Sequence, residues 1–116
     1  HLTIMVIYKI FRRPEWEHFD AQGETLGAPI DLADGYIHFS TKDQAAETAA
    51  KHFAGEVNLV LVALEAEALG ASLKWEPSRG GQLFPHLYRA LKRADCLWVA
   101  DLPLGPDGHQ FPRDMT

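Results

Sequence analysis

Two polar side chains lie two residues apart where a short apolar strand meets the start of a helix. The strand is predicted at residues 36–39, and His38 and Ser40 share one face of it because side chains alternate along a strand. Ile37 and Phe39 lie on the other face and are expected in the core. The imidazole and hydroxyl could bind a ligand's hydroxyls or phosphate, or form part of a catalytic pair. The alternative is a structural histidine whose ring contacts a backbone carbonyl.

The helix that follows is predicted at about residues 42–54. Thr41 and Gln44 match the capping box, in which a hydroxyl residue before the helix and an amide residue three positions later satisfy the first backbone N–H groups. Thr41 is therefore expected to cap the helix. Its place beside Ser40, at a helix N-terminus with a partial positive charge, also makes it a candidate ligand-binding residue.

A second polar segment lies at residues 75–88. Glu76 is expected at the end of a strand, where it could act as a general base or bind the hydroxyls of a ribose. Arg79 precedes Gly80 and Gly81, so a fork-shaped cation and exposed backbone N–H groups could bind a phosphate. The alternative is a flexible hairpin loop with a solvated arginine, since the longer glycine-rich nucleotide motifs are absent.

His86 and Tyr88 are also two residues apart and should share a face, which makes both candidate ligand-binding residues. Together with His38, and with Glu76 or Asp34 as a carboxylate, they raise the question of a metal. No histidine or cysteine spacing typical of zinc sites occurs in the chain. The sequence therefore predicts no metal site.

The length and composition favour one domain over residues 1–116, with a core at about 5–102 and a loosely ordered tail at 103–116. There is no apolar run long enough for a membrane helix and no recognisable signal peptide. A single cysteine, Cys96, excludes an internal disulfide framework and suits a reducing compartment. We therefore expect a cytoplasmic protein without membrane contact.

The charge distribution favours a small anionic ligand over a nucleic acid. The net charge is −5, which disfavours an extended nucleic-acid partner. Residues 74–93 nevertheless carry +4, so the remainder carries −9. A local basic region on an acidic chain suits a small anion or nucleotide, whereas the alternative is a solvated basic face.

The hydrophobic pattern predicts an α+β fold with two main helices on a small, mostly antiparallel sheet that is either mixed or split in two. Gly23 is expected to end the first helix, Gly27 and Pro29 to lie in a loop, and Pro85 to mark an edge strand or a break. The expected strands are 4–10, 36–39, 57–64, 73–76 and 97–102, with helices at 14–22 and 42–54, and 57–64 as a central strand.

The combined motifs resemble a bacterial family of unknown function, the domain-of-unknown-function family nine-fifty-two. They are DGYIHFST at 34–41, WE at 75–76, RGG at 79–81 and FPHLY at 84–88, with the Gln44 to Ala49 helix, the first strand and Trp16 in support. The family in turn looks like the ADP-ribosyltransferase fold, a split-sheet architecture that binds NAD in a cleft.

This resemblance implies an ADP-ribosylation-like fold whose cleft is lined by His38, Ser40, Glu76, Arg79, His86 and Tyr88. Ser40 and Glu76 match residues that transferases of this fold use, whereas the first strand offers only Lys9 and Arg12, which do not fit that pattern. The implied function is an enzyme that handles NAD, another nucleotide or a phosphoribose. The alternatives are a non-catalytic module that binds a small anionic metabolite, and a structural or interaction protein.

Overall fold

The computed structural model describes residues 4–115, apart from the side chain of Arg79. Elements of the first half are β1 (Val6–Arg12), α1 (Arg13–Gln22), β2 (Glu24–Thr25), α2 (Pro29–Asp34), β3 (Ile37–His38), β4 (Ser40–Thr41) and α3 (Lys42–His52). Elements of the second half are β5 (Leu59–Glu65), a 3₁₀ helix (Glu67–Ser72), β6 (Leu73–Pro77), a 3₁₀ helix (Arg79–Gly81), β7 (Leu83–Leu87), β8 (Leu91–Lys92), a 3₁₀ helix (Arg93–Asp95), β9 (Cys96–Leu102), β10 (Leu104–Gly105) and β11 (Gly108–His109).

The main sheet has four antiparallel strands in the order β4-β1-β5-β9. Its inner strand β5 is buried from Leu59 to Leu64, which confirms the predicted central strand. The strand β1 pairs with β5 along one edge, and along its other edge it pairs with β4 only at Ile7 and Tyr8. The rest of that edge of β1 faces a cavity, which is described below.

A second, smaller sheet has the order β3-β7-β6, and both of its pairings are antiparallel. Its register places Ile37 opposite Leu87 and His38 opposite His86. The predicted α+β class with antiparallel sheets is therefore confirmed, and the sheet is split. The two polar segments found in the sequence meet in this smaller sheet.

Pro85 lies in the middle strand of the smaller sheet, so the predicted edge strand is wrong, whereas the pairing of that strand with β3 does break at this residue. Its carbonyl accepts a hydrogen bond of 3.0 Å from the N–H of Phe39. The N and C=O of one strand residue point to the same side, so the N–H that proline lacks would also have pointed towards Phe39. The ladder ends there, and the predicted strand 36–39 divides into β3 and β4.

The two predicted helices form close to their expected bounds. Gly23 ends α1 in the left-handed conformation, with φ of 83°, and its N–H donates to the carbonyl of Phe19. At the start of α3, the N–H of Thr41 donates to Oε1 of Gln44 at 3.0 Å, as a capping box requires. α1 buries Trp16 and Phe19 against the main sheet.

The sequence analysis missed α2, which occupies the predicted loop. Pro29 begins this helix, a position where the missing proline N–H costs nothing, and Gly35 ends it in the left-handed conformation. At six residues the helix is too short to be stable alone, so its stability depends on tertiary contacts. The main contact is the side chain of Asp31, which is buried.

Hydrophobic side chains cover both faces of the main sheet. On one face Ile7, Phe11 and Val62 pack with α1 and the smaller sheet. On the other, Tyr8 and Leu61 pack with α3. Full burial of each such side chain contributes about 1.5–3 kcal/mol.

The C-terminal segment is more structured than the loosely ordered tail that the sequence predicts. β10 and β11 pair as a hairpin, and the N–H of Gln110 donates to the carbonyl of Pro103. Met115 is buried in the core on the α3 face, beside Phe111. Two apolar side chains therefore hold a segment whose glycine and proline content had suggested disorder.

Among residues 4–115, none of the helices has the length and apolar character needed to cross a bilayer.

Candidate functional site

A cavity of about 120 Å³ lies between the open edge of β1, the smaller sheet and α3. Its polar lining includes Lys9, Arg12, His38, Ser40, His52 and His86. An engineered protein cavity of about 150 Å³ admits a benzene ring, so the enclosed space suits one ring-sized group. Ile30 is exposed and Arg12 half-buried at its rim, where a larger ligand could extend into solvent.

Three of the predicted site residues meet in this cavity. His38 and His86 are direct cross-strand partners, and their ring centroids lie 5.4 Å apart. Ser40 also lines the cavity, as its strand parity with His38 predicts, whereas Ile37 lies in the core. The cavity thus brings together residues from both polar segments.

The Ser40 hydroxyl, however, is joined to α3 and not to His38. It lies 2.8 Å from the hydroxyl of Thr48, and the residue is only 5% exposed. His38 is joined to α2 instead, through Asp31 and Asp34. The structure therefore offers two separate polar groups on one wall, without a serine–histidine hydrogen bond among the described residues.

Asp31 is the centre of the first polar network. Its Oδ2 accepts hydrogen bonds from Lys9 Nζ at 2.8 Å and from the N–H of Ala28 at 2.7 Å. Its Oδ1 accepts from the N–H of His38 at 3.0 Å and lies 2.5 Å from His38 Nδ1. Burial by itself raises the pKa of Asp31, but the hydrogen bond from His38 and the charge of Lys9 outweigh it and lower that pKa to about 2.

Both ring nitrogens of His38 face carboxylates. Nδ1 contacts Asp31, and Nε2 lies 2.9 Å from Oδ2 of Asp34. Ionised carboxylates only accept hydrogen bonds, so both contacts are satisfied together only when both ring nitrogens carry protons. This arrangement fixes the orientation of the ring.

The second network joins Glu76, His86 and Tyr88. Oε1 of Glu76 lies 2.8 Å from His86 Nδ1 and accepts a hydrogen bond of 2.7 Å from the Tyr88 hydroxyl. These bonds, from Tyr88 first and then His86, lower the pKa of Glu76. The same bond to Glu76 raises the pKa of Tyr88 to about 12. Tyr36 stacks on the His86 ring, with centroids 4.1 Å apart.

Several predicted residues do not line the cavity. Glu76 and Tyr88 lie behind and beside His86, and Thr41 caps α3. Gly80 and Gly81 are exposed in a 3₁₀ turn with φ of 67° and 79°, and the described part of that loop reaches the cavity through Ser78. The predicted role of Arg79 falls on a side chain outside the described residues.

Sequence reasoning gave no role to Lys9, Asp31 or His52, all of which contribute to the site. A signal for Lys9 existed, because a lone cation inside the apolar run Ile7-Tyr8-Lys9-Ile10-Phe11 requires a buried partner. The partner itself had no signal, since Asp31 lies 22 residues further along the chain. His52 lies in the last turn of α3, and nothing in its local sequence indicates that it lines a cavity.

The cavity wall differs in charge from the rest of the chain. Its described lining contains Lys9, Arg12 and three histidines, and no aspartate or glutamate. The carboxylates lie one layer behind and bind these groups. Among residues 4–115, no three His, Cys, Asp or Glu side chains gather in a way that could hold a metal ion.

Comparison with known proteins identifies the class. Residues 10–99 match the model of the family described as "Protein of unknown function (DUF952)", so the chain belongs to that family.

Two solved structures of one relative resemble the chain closely. The crystal structure of protein CC0527 from Caulobacter crescentus is 57% identical, with a TM-score of 0.87 over 90% of this chain and 93% of that one. The solution NMR structure of the same protein is also 57% identical, with a TM-score of 0.81 over 90% of each chain. A search of curated proteins gave no significant match.

Proposed function

We propose that the protein is an enzyme that binds a small anionic ligand of the nucleotide or phosphoribose class in the cavity. The observation that carries this proposal is the charge of the cavity wall. On a chain with net charge −5, the ionised and ionisable lining groups are Lys9, Arg12, three histidines and Tyr8 among the described residues. In an enclosed site such groups attract an anion more strongly than they would in water.

The size and position of the cavity support the nucleotide or phosphoribose class. It suits one ring, such as a ribose or a nucleobase, and the rest of such a ligand would extend past the rim. The hydroxyls of Ser40 and Thr48 could bind a sugar. The likeness of the family indicated by the sequence motifs to the ADP-ribosyltransferase fold favours NAD or a related nucleotide as the ligand.

The two carboxylate–histidine pairs support an enzyme. A histidine whose ring is oriented by a carboxylate is a common general acid or base, because the partner fixes the tautomer and stabilises the charged form. Here two such rings lie side by side at one cavity. The expected reaction class is proton transfer to or from a ligand hydroxyl or leaving group.

Ligand binding can be tested by thermal unfolding with ribose 5-phosphate, AMP, ADP-ribose, NAD and inorganic phosphate. A ligand that binds only the folded state at a hundred times its Kd adds about 2.7 kcal/mol to the free energy of unfolding. The discriminating variant is Ile30→Glu, which adds a negative charge at the rim of the cavity. Leu32→Glu is the matched control, because it lies on the same helix with similar exposure and does not line the cavity.

We expect Ile30→Glu to weaken binding roughly five- to tenfold, the effect of one unit charge a few ångströms away in water, and Leu32→Glu to leave it unchanged. Equal weakening by both variants would place the ligand elsewhere. If none of the five compounds raises the melting temperature, the proposed ligand class is wrong.

A second candidate is a binding module without turnover. The contacts of His38 favour it, since both of its ring nitrogens are occupied by carboxylates and neither is available for proton transfer in this arrangement. Chromatography of the bound compound after long incubation separates the two candidates. Unchanged ligand with a raised melting temperature supports the module, and a product supports the enzyme.

A further inference from the structure

Two of the three cavity histidines, His38 and His86, differ in what their ring nitrogens contact. His38 has a carboxylate at each nitrogen, Asp31 at Nδ1 and Asp34 at Nε2. The His86 ring is bound through Nδ1, to Glu76 at 2.8 Å. Its Nε2 lies on the opposite side of the ring from that contact. Of these two, His86 combines a held ring with a nitrogen that remains for a ligand.

Burial and stacking hold the His86 ring in place. The residue is 2% exposed but lines the cavity, so its accessible surface belongs to the cavity wall. Tyr36 stacks on one face at 4.1 Å, with an angle of 28° between the rings. A 180° flip of the ring about its Cβ–Cγ bond would replace Nδ1 by a carbon at Glu76 and lose that hydrogen bond, so the contact with Glu76 fixes which nitrogen remains for the cavity.

We propose that His86 is the proton acceptor of the cavity, with an unprotonated Nε2 directed at the ligand and with Glu76 as its positioning residue. The ligand in this proposal rests on the proposed function, whereas the protonation state of the ring does not. An ionised carboxylate can only accept, so the neutral His86 ring must carry its proton on Nδ1. Nε2 then holds a lone pair that can take a proton from a hydroxyl or from a protonated phosphate.

Glu76 also supports the charged form of the buried ring. The His86 side chain is 3% exposed and that of Glu76 35% exposed, so the carboxylate is partly solvated and the ring is not. When Nε2 takes a proton from the ligand, the ring becomes an imidazolium that the Glu76 carboxylate stabilises through Nδ1–H. Nε2 then returns that proton to the leaving group or product, and the ring is again neutral with its proton on Nδ1.

Other charged and titratable groups surround His86 on each packed element. On β6 it lies opposite Lys74 and contacts Glu76, and just beyond its own strand Tyr88 binds the same Glu76 oxygen. From the β3 side it contacts His38 and Tyr36. Across the cavity the further groups are Lys9, Arg12, Tyr8 and His52.

NMR of protein labelled with ¹⁵N in its histidine rings tests the state of His86 directly. We expect the neutral ring to show Nδ1 protonated and Nε2 unprotonated, in a ratio of about ten to one or more, as a hydrogen bond to a charged acceptor requires. Glu76→Ala should abolish this preference. Tyr88→Phe is the matched control, because it removes the other bond to the same oxygen and should leave the ratio unchanged.

A wild-type spectrum with the proton on Nε2 overturns the proposal, whatever the ligand. So does a ratio that Glu76→Ala leaves unchanged. In the second arm, inorganic phosphate or ribose 5-phosphate is added, and the Nε2 signal of His86 should move more than its Nδ1 signal. If a probe binds and moves only His38 signals, the proposal also fails. If no probe binds while the tautomer is as expected, the proposed function fails and the assignment of the base is supported.

Discussion

The two carboxylate–histidine pairs beside the cavity are buried in opposite senses. In the Asp31–His38 pair the carboxylate side chain is 0% exposed and the histidine 29%. In the Glu76–His86 pair the histidine is 3% exposed and the carboxylate 35%. The carboxylate is therefore the buried partner in the first pair, and the histidine is the buried partner in the second.

This difference predicts that the first pair contributes more to the stability of the fold than the second. A buried carboxylate must be neutralised by its surroundings, so Asp31 is tied to Lys9, His38 and a backbone N–H at once. A buried imidazole can remain neutral if its carboxylate is lost. We therefore expect the Asp31 network to carry stability and the Glu76 network to tolerate change.

The largest expected effect is that of Asp31→Asn. The substitution leaves Lys9, which is 7% exposed, without its counter-charge, and breaking one side of a buried ion pair costs about 3–5 kcal/mol. Urea denaturation should show a fall of this size in the free energy of unfolding. Asp34→Asn is the control, because it contacts the same histidine from the surface and should cost no more than about 1 kcal/mol. Similar losses in both variants would contradict the comparison.

Acid should remove the contribution of Asp31 within a defined pH range. Its folded-state pKa of about 2 is below the ordinary value of 3.8, so its stabilising contribution is complete above pH 3.8 and is lost as the pH falls through about 2. The corresponding loss in the free energy of unfolding is about 2 kcal/mol. Urea denaturation at several pH values between 5 and 2 measures this loss. In Asp31→Asn the corresponding decrease of the free energy of unfolding with falling pH should be absent.

A direct check on that pH range is the ¹³C signal of the Asp31 carboxyl group, which reports its protonation without requiring unfolding. We expect a titration midpoint near 2. A midpoint near the ordinary value would mean that His38 and Lys9 do not stabilise the carboxylate. The contacts of the buried Asp31 carboxylate would then contribute little to the free energy of unfolding.

Glu76→Gln should lower the free energy of unfolding less than Asp31→Asn does. The carboxylate is partly solvated, the amide oxygen of glutamine can still accept from His86 Nδ1, and no buried cation is left unpaired. Urea denaturation of both variants under one set of conditions gives the ranking. An equal or larger loss for Glu76→Gln would show that the second pair stabilises the fold as much as the first.

The contrast between the pairs also explains what the sequence could predict. Local signals sufficed for the Thr41–Gln44 cap, for the end of α1 at Gly23 and for strand β5. Strand parity sufficed to place His38 and Ser40 on one wall and His86 with Tyr88 on one face. These features depend on neighbours within a few residues, which a single sequence displays.

The rest depends on long-range register, which a single sequence does not display. α2 is a six-residue helix whose main tertiary contact joins residues 22 apart, and no periodicity or cap sequence announces such a contact. The position of Glu76 behind His86, and not in the cavity, follows from the pairing of β6 with β7. Pro85 looks incompatible with an inner strand because proline has no backbone N–H to donate. The sequence does not show that its neighbour across the ladder is Phe39, in a different segment, where the pairing ends.

The smallest expected effect concerns the Tyr88 hydroxyl, and it tests whether Glu76 is ionised in the second pair. The hydrogen bond to Glu76 raises the pKa of Tyr88 from 10.0 to about 12, because the phenolate would face the carboxylate. Neutral Tyr88 thus contributes stability below pH 10, and the contribution is lost as the pH rises through about 12. Absorbance of the ionised phenols should include a tyrosine that titrates near 12, and this component should disappear in Tyr88→Phe. In Glu76→Gln the pKa of Tyr88 should return towards 10.0. A midpoint that stays at about 12 in this variant would mean that the Glu76 carboxylate does not raise the pKa of Tyr88.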